Sequence, residues 1–515
     1  MPKNIVVFSD GTGQDGGVRP EQRVSNVFKM YRVCRTGPDS GIDPEHQVAF
    51  YDPGLGTDIG ATAMSAPVRF VQKMLASVTG RGITTNIADC YAFIIDHYRP
   101  GDRIFFIGFS RGAYTVRALA NLLMLCGVPT RTPSGPLPLF RKAVRDIAEE
   151  AVSEVLEHGA GHKRETYEAE RLEQARRFRE RYGAHHDSGE EHRSNVAPYF
   201  VGVFDTVAAL GATGFRRIAI LSILLLGLVV GVTLLAIPVA APVAGLLKLA
   251  DLPFWTTFLG LVAAADIVGV AVAAWRWAAS TTKTIRDFPK KGDVSSHRAE
   301  WKGANFDRLL SRFVGYARSA NAVDETRKDF DRVGWGGQPA MRPDPDGPPR
   351  FLQLWFAGNH SDVGGSYPET ESRLSDISLG WMIEEATGIP DGLLVDGQPM
   401  PGEATGIPKL HLFPSPDGVQ HCEVAGMRDT VEAKVPRWLR RFAGGLGWEV
   451  KVREIHPEAP VHPTVTERFA LPSVTQCAGA GPYRPAALAG HRDFRHLYGP
   501  TPPAAPTAPA GGAVT

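Results

Sequence analysis

The chain is poor in cysteine: five in 515 residues, Cys34, Cys90, Cys126, Cys422 and Cys477. They are scattered, odd in number and form no C-x-x-C pair. Neither a disulfide framework nor a metal site is therefore expected, and a reducing, cytosolic setting is the default for the soluble part. Net charge is nearly absent, at +1 from 56 basic and 55 acidic residues. A nucleic-acid partner, which asks for basic side chains gathered on one face, is not expected. The stretch from Met1 to Asp10 lacks the long apolar core and small-residue cleavage site of a signal peptide and runs straight into a strand.

One further absence is local. From Ile218 to Leu247 there is no charged residue, a run well beyond the roughly 20 apolar residues that cross a bilayer. Pro238 and Pro242 are expected to end or kink that crossing. After Lys248 and Asp251, Phe254–Trp277 supplies a second span, with Trp255, Trp275 and Trp277 at the depths where interfacial aromatics gather. Asp266 must then face the partner helix or an aqueous crevice. Arg216 and Arg217 precede the hairpin and Arg276, Lys283, Arg286, Lys290 and Lys291 follow it, whereas the connecting loop holds Lys248 against Asp251. By the positive-inside bias the two ends face the cytoplasm.

Chemistry centres on Asp102–Leu125. Ile104–Ile107 has the length and composition of a buried strand. Gly108-Phe-Ser110-Arg-Gly112 follows it, and then Ala113, Val116, Leu119, Ala120 and Leu123 recur at helical spacing. Strand, sharp turn and helix make a nucleophile elbow, with the Ser110 hydroxyl presented on a strained turn. Such a serine needs an acid and then a histidine further along the chain. Tyr199–Phe204 is an apolar strand ending in Asp205, and Phe351–Phe356 is another, ending in a glycine-rich loop that carries His360 and Asp362. Asp205 is read as the carboxylate that orients the imidazole and His360 as the general base. Asp362 is the second candidate acid and His462 the second candidate base. Ile5–Phe8 is a strand ending in Ser9-Asp10-Gly11-Thr12-Gly13, whose backbone N–H groups at Gly11 and Thr12 would share an oxyanion with that of Arg111. Asp10 would orient that loop or hold a cation.

Strands alternating with helices at Asn26–Val33, Met64–Thr79, Ile83–Tyr98 and Leu374–Ala386 predict an α/β class with a mostly parallel sheet. Arg141–His158 and Lys163–Tyr182, dense in Glu, Arg and Lys, read as solvated helices of a surface insertion. Phe288–Arg318 reads as polar and helical, and Val450–Tyr483 as loop and strand fragments. The expected division is a hydrolase core over 1–206 with the charged insertion at 138–183, a transmembrane hairpin over 216–278, the rest of the core over 279–498, and a disordered Pro/Ala tail over 499–515.

Phe8-Ser-Asp-Gly-Thr12, Tyr51-Asp-Pro-Gly-Leu-Gly-Thr57, Gly101 through Leu119, Val201-Gly-Val-Phe-Asp205-Thr-Val and Trp355-Phe-Ala-Gly-Asn-His360-Ser-Asp-Val-Gly-Gly together resemble the α/β-hydrolase domain of type VI secretion phospholipase effectors and their relatives. Leu374–Met382 and His462-Pro-Thr-Val fit the same pattern, so that the resemblance runs from about Ile5 to Tyr483. It implies a Ser-Asp-His lipase or esterase, without cofactor, whose best-known substrates are phospholipids. Membrane lipid would be both substrate and anchor. A secreted toxin should stay soluble in transit, so the hairpin favours a resident, cytoplasm-facing membrane hydrolase. The alternatives are a secreted antibacterial effector whose hairpin inserts only in the target cell, and a non-catalytic membrane scaffold with a hydrolase fold.

Overall fold

A computed structural model describes residues 2–11, 23–54, 81–190, 192–207, 214–301, 310–311, 313–335, 347–396, 410–423, 450–477 and 479–499. Its centre is a six-stranded sheet. The strands are β1 (Asn4–Ser9), β2 (Gln47–Asp52), β3 (Arg103–Phe109), β6 (Phe200–Phe204), β9 (Tyr316–Ala322) and β10 (Phe351–Phe356), in the spatial order β10-β9-β6-β3-β1-β2. Every pairing in it is parallel. Between β3 and β6 the chain forms a small ribbon, β4 (Arg131–Thr132) with β5 (Gly135–Pro136). Between β6 and β9 it forms a second ribbon, β7 (Thr282–Arg286) with β8 (Val294–Arg298).

A parallel sheet is covered on both faces, so its strands read as continuous apolar runs. Ile5, Val7, Ile104 and Phe106 point into one core, while Val6, Phe8, Phe105 and Ile107 point into the other. Each such side chain, fully buried, contributes about 1.5–3 kcal/mol. The first face is covered by helices α2 (Arg81–His97), α3 (Ser110–Cys126), α4 (Arg141–Glu150) and α5 (Arg164–Tyr182). The second is covered by α1 (Asn26–Cys34) and α9 (Arg373–Thr387).

The charged insertion is less solvated than its composition predicts. Val144, Ile147, Val152, Val155 and Phe178 join the first core, and Arg179 is buried with its guanidinium on the Leu125 carbonyl. One face of each charged helix is turned into the core, which overall composition does not register.

Helices α6 (Gly214–Leu247) and α7 (Phe254–Thr281) lie against each other. The most apolar stretches of the spans Arg217–Ala250 and Phe254–Thr281 have mean hydropathies of 2.9 and 2.1, and 0% and 6% of those stretches are buried. Both are long and apolar enough to cross a membrane. Neither Pro238 nor Pro242 ends α6. Thr233 donates to Asp266 at 2.9 Å, so the acid faces the partner helix.

Three expectations are overturned. Of the expected helix Phe288–Arg318, the described part forms β8 and enters β9 instead, while residues 302–309 and 312 lie outside the described residues. Its polar composition concealed a central strand, because the buried Arg318, Ser319 and Asn321 have partners in Glu385, each other and Leu354. Within Val450–Tyr483, Pro463–Ala470 is helical (α10) ahead of a short ribbon, Val474–Gln476 (β11) with Gly479–Gly481 (β12). Cys422 and Cys477, 55 residues apart, form a disulfide, while Cys34, Cys90 and Cys126 are free and buried. The spacing that argued against a disulfide gives no measure of distance in space. The expected helix at Met64–Thr79 and residues 500–515 of the expected tail lie outside the described residues.

Candidate active site

The turn from β3 into α3 leaves no residue between Phe109, the last of the strand, and Ser110, the first of the helix. The reversal is taken up at Ser110, whose φ of 59° lies in the left-handed region that strains a residue with a Cβ. The flanking glycines are dictated by contact. A Cβ at Gly108 would sit 2.6 Å from the Gly112 carbonyl oxygen, and one at Gly112 would sit 2.1 Å from that of Ser9. The first N–H groups of a helix have no intrahelical acceptor, which leaves the Arg111 N–H beside the serine able to meet a negative oxygen.

The loop after β1 lies against this turn, since a Cβ on Gly11 would be 3.4 Å from that of Ser110. Its expected role needs correction, because the Gly11 N–H donates to Asp10 Oδ1 at 2.7 Å and so is taken by a carboxylate already in place. Thr12 lies outside the described residues. Asp10 also accepts from Ser25 Oγ at 2.5 Å and Tyr51 Oη at 2.6 Å, which makes it the organiser of this loop. Burial pushes its carboxyl up to about 6 against the pull of those three donors.

Asp205 follows β6 directly, fully buried and with φ of 39°. Its Oδ2 accepts from His360 Nδ1 at 2.6 Å and from Arg453 Nη2 at 2.8 Å. Its Oδ1 accepts from the Ala322 N–H at 3.0 Å and from Arg453 Nη1. Burial is the largest influence and opposes ionisation, but the Arg453 guanidinium and His360 together outweigh it and hold the carboxyl well below the usual range.

His360 opens the short helix α8 (His360–Gly364), whose cap is Asn359. Its own N–H donates to Glu325 Oε2 at 3.2 Å, and its ring lies between Phe109 and Phe330, with centroids 4.6 and 5.0 Å away. Burial lowers its pKa, with Asp205 pulling the other way. With Nδ1 facing a carboxylate, the proton of the neutral ring belongs there, and Nε2 carries the lone pair. That Nε2 is buried without a hydrogen-bond partner. A neutral imidazole with a held Nδ1 and an open Nε2 is equipped to accept a proton.

Because the sheet is parallel, Ser110, Asp205 and His360 follow β3, β6 and β10 at the same carboxyl edge, where open α/β sheets place their ligands. The Phe109 ring, on the residue before the serine, packs on His360 and ties the two loops together. The second candidates lie elsewhere. Asp362 accepts from the Asn359 N–H at 3.0 Å and from His421 Nδ1 at 2.7 Å, so its carboxylate closes the α8 cap. His462 stacks on Phe356, bonds Thr464 Oγ1 at 2.8 Å, and has its imidazole lowered to about 4 by burial. A cavity of 260 Å³ lined by Tyr114, Arg117, Trp301 and Trp335 contains none of the three.

Sequence reasoning missed Arg453, which lies 248 residues from the carboxylate it grips, and the Glu325–Arg327 pair beneath His360. No local pattern marks a lone arginine in a loop.

The family described as "T6SS, Phospholipase effector Tle1-like, catalytic domain" matches residues 3–223 and 257–385, breaking off within α6 and resuming within α7. An uncharacterized protein of Saccharomyces cerevisiae, YEL023C, is 25% identical over 423 residues, covering 75% of this chain and 57% of that protein. Among solved structures, an uncharacterized protein from Pseudomonas aeruginosa matches with TM-score 0.30 and 15% identity, over 76% of this chain and 46% of the other. The Tle1 effector bound to the VgrG spike of the type 6 secretion system matches with TM-score 0.27 and 14% identity, over 72% and 52%. The chain thus spans about half the length of these relatives.

Proposed function

The chain belongs to the family of type VI secretion phospholipase effector Tle1-like catalytic domains, and from that premise we propose that it is a membrane-anchored serine hydrolase cleaving the acyl esters of phospholipids. The observation that carries this reading is the elbow: Ser110 at φ 59° between two obligatory glycines, on the same sheet edge as a buried Asp205–His360 pair.

In the proposed reaction Ser110 Oγ attacks the ester carbonyl while its proton passes to His360 Nε2. Asp205 holds the imidazolium that forms. The developing oxyanion is met by the Arg111 N–H, with Thr12 as the second candidate donor, and one such donor is worth about 10²–10³ in kcat. Collapse expels the alcohol, which takes the proton from His360, and leaves the acyl group on Ser110. Water, losing a proton to the same Nε2, then attacks the acyl-enzyme, and collapse frees the fatty acid as that proton returns from His360 to Ser110 Oγ.

The hairpin of α6 and α7 supports anchoring, since apolar side chains such as Leu226, Leu235 and Val239 stand exposed along it. A tethered enzyme meets lipid at a high effective concentration. The basic flanks favour the hydrolase side as cytoplasmic. A second reading, an exported effector, is favoured by the Cys422–Cys477 disulfide, since such bonds persist in oxidising compartments. Fractionation of the producing cell separates the two: a resident enzyme pellets with membrane, an effector awaiting export does not.

Purified protein should hydrolyse phospholipid vesicles and react with a fluorophosphonate probe, and Ser110→Ala should abolish labelling and lower turnover by at least about 10³-fold. Unchanged turnover in the variant overturns the assignment. A folded wild type that neither labels nor turns over supports the scaffold alternative.

A further inference from the structure

We infer that His158, Glu170 and His297 form a site for a divalent zinc-class metal ion, clamping the charged insertion to the strand ribbon that leaves the second apolar helix. The three residues come from different elements: the turn at Leu156–Gly159, helix α5 and strand β8. One nitrogen or oxygen from each lies within 4.8 Å of the others. His158 Nε2 is 2.8 Å from Glu170 Oε2, and His297 Nδ1 is 3.8 Å from the same oxygen. Tetrahedral zinc with bonds near 2.0–2.2 Å spaces its ligand atoms about 3.3–3.6 Å apart, so side-chain movements of about 1 Å close the set.

The second observation comes from His297. Its Nε2 faces the backbone carbonyl of His158, an acceptor only, so Nε2 carries the proton of the neutral ring and Nδ1 carries the lone pair. That Nδ1 is buried without a hydrogen-bond partner, in a side chain 7% exposed, and it looks toward a carboxylate oxygen. A lone pair facing a carboxylate is repulsive unless a proton or a metal ion stands between them, and at 3.8 Å the gap is longer than an N–H···O bond spans. A ring N–H bonded to a backbone carbonyl is also the usual way a protein fixes a metal-ligating imidazole.

The surroundings are equally ordered. Ser295 Oγ donates to Glu170 Oε1 at 2.9 Å, which turns Oε2 toward the two rings. Tyr167 stacks flat on His297 at 3.7 Å and 11°. The His158 ring is 1% exposed, so its ring nitrogens are held by the protein and not by bulk water. On binding, His158 moves its proton from Nε2 to Nδ1, a change of tautomer without change of charge. Two imidazoles and a carboxylate suit zinc better than calcium or magnesium, which prefer oxygen alone. Because β7 begins at the residue after α7 ends, such an ion would fix the exit of the apolar helix against the insertion.

The test uses the full chain, purified in detergent without a polyhistidine tag, stripped with chelator, re-equilibrated with zinc sulfate and freed of excess by gel filtration. Expected are stoichiometric zinc by elemental analysis and, with cobalt(II) in its place, the intense visible bands of a tetrahedral site. Glu170→Gln and His297→Gln should remove both, and Ser295→Ala, which keeps all three ligands, should weaken zinc affinity about 10–100-fold. Wild type that retains no zinc overturns the inference and assigns the gap to a proton. Stoichiometric zinc in folded Glu170→Gln or His297→Gln, judged by circular dichroism, overturns it too. If those variants do not fold, an unchanged affinity in Ser295→Ala has the same force.

Discussion

Arg453 holds both carboxylate oxygens of Asp205 through two parallel N–H donors, in a pocket where the arginine is 6% and the aspartate 0% exposed. The guanidinium therefore does two things for the site: it keeps the carboxylate charged despite burial, and it fixes the direction from which His360 is held.

In the proposed reaction Arg453 is a positioning residue, and Arg453→Lys should separate its two effects. Lysine keeps the charge but cannot make two parallel bonds. We expect kcat on a phospholipid to fall about 10–100-fold with KM little changed, whereas Arg453→Met, which strands a buried carboxylate, should also lose about 3–5 kcal/mol of unfolding free energy. Steady-state kinetics and urea denaturation check both, and a wild-type kcat in Arg453→Met would sink the role.

Activity should fall on the acid side as His360 takes up a proton, at a pH below the 6.5 usual for histidine because burial disfavours the charged ring. The Arg327 guanidinium contributes to that lowering, and it also neutralises the buried Glu325 under the imidazole. Arg327→Gln removes a cation and uncovers an anion, both of which favour imidazolium. The acid limb of kcat/KM should therefore move to higher pH. A limb that stays in place or moves down contradicts the proton-accepting role.

Asp52 ends β2 with its carboxylate accepting from Ser9 Oγ at 2.7 Å and Asn86 Nδ2 at 3.0 Å, and burial pushes it up to about 7. In the unfolded chain the same group ionises near 3.9. Between those values the native state binds the extra proton, so this group's contribution is fully present below about pH 4 and is lost as pH rises through about 7. Asn keeps the acceptor oxygen and removes the charge. Asp52→Asn should therefore stabilise the protein by about 2–4 kcal/mol at pH 8 and very little at pH 4, read from urea unfolding at the two values. Equal effects at both pH values would contradict the buried-charge account.

Much of the sheet could be read along the chain because burial on both faces makes the centres of β1, β3 and β6 continuous apolar runs, and the edge strand β10 is apolar apart from Gln353. Strand β9, between β10 and β6, escaped because Tyr-Ala-Arg-Ser-Ala-Asn-Ala looks soluble, and only the partners of Arg318, Ser319 and Asn321 make it an interior strand. The elbow was legible for a similar reason. Gly108 and Gly112 are forced by backbone passing at contact distance, a constraint that leaves its mark within five consecutive residues. The Gly11 N–H was misjudged because nothing in Ser-Asp-Gly-Thr says whether the aspartate turns back on the next amide.

The amino-acid order alone determined what depends on neighbours: the apolar strands, the glycines around Ser110, the uncharged length of α6, and the sequence of serine, acid and histidine at strand ends. Only the tertiary structure decided what depends on distance in space. It chose Asp205 over Asp362 as the carboxylate on His360, set Arg453 on that carboxylate, joined Cys422 to Cys477, and gathered His158, Glu170 and His297. A hydrogen bond or a metal ligand set is a matter of a few ångströms, and separation along the chain carries no information about it once the sheet has folded distant loops onto one edge.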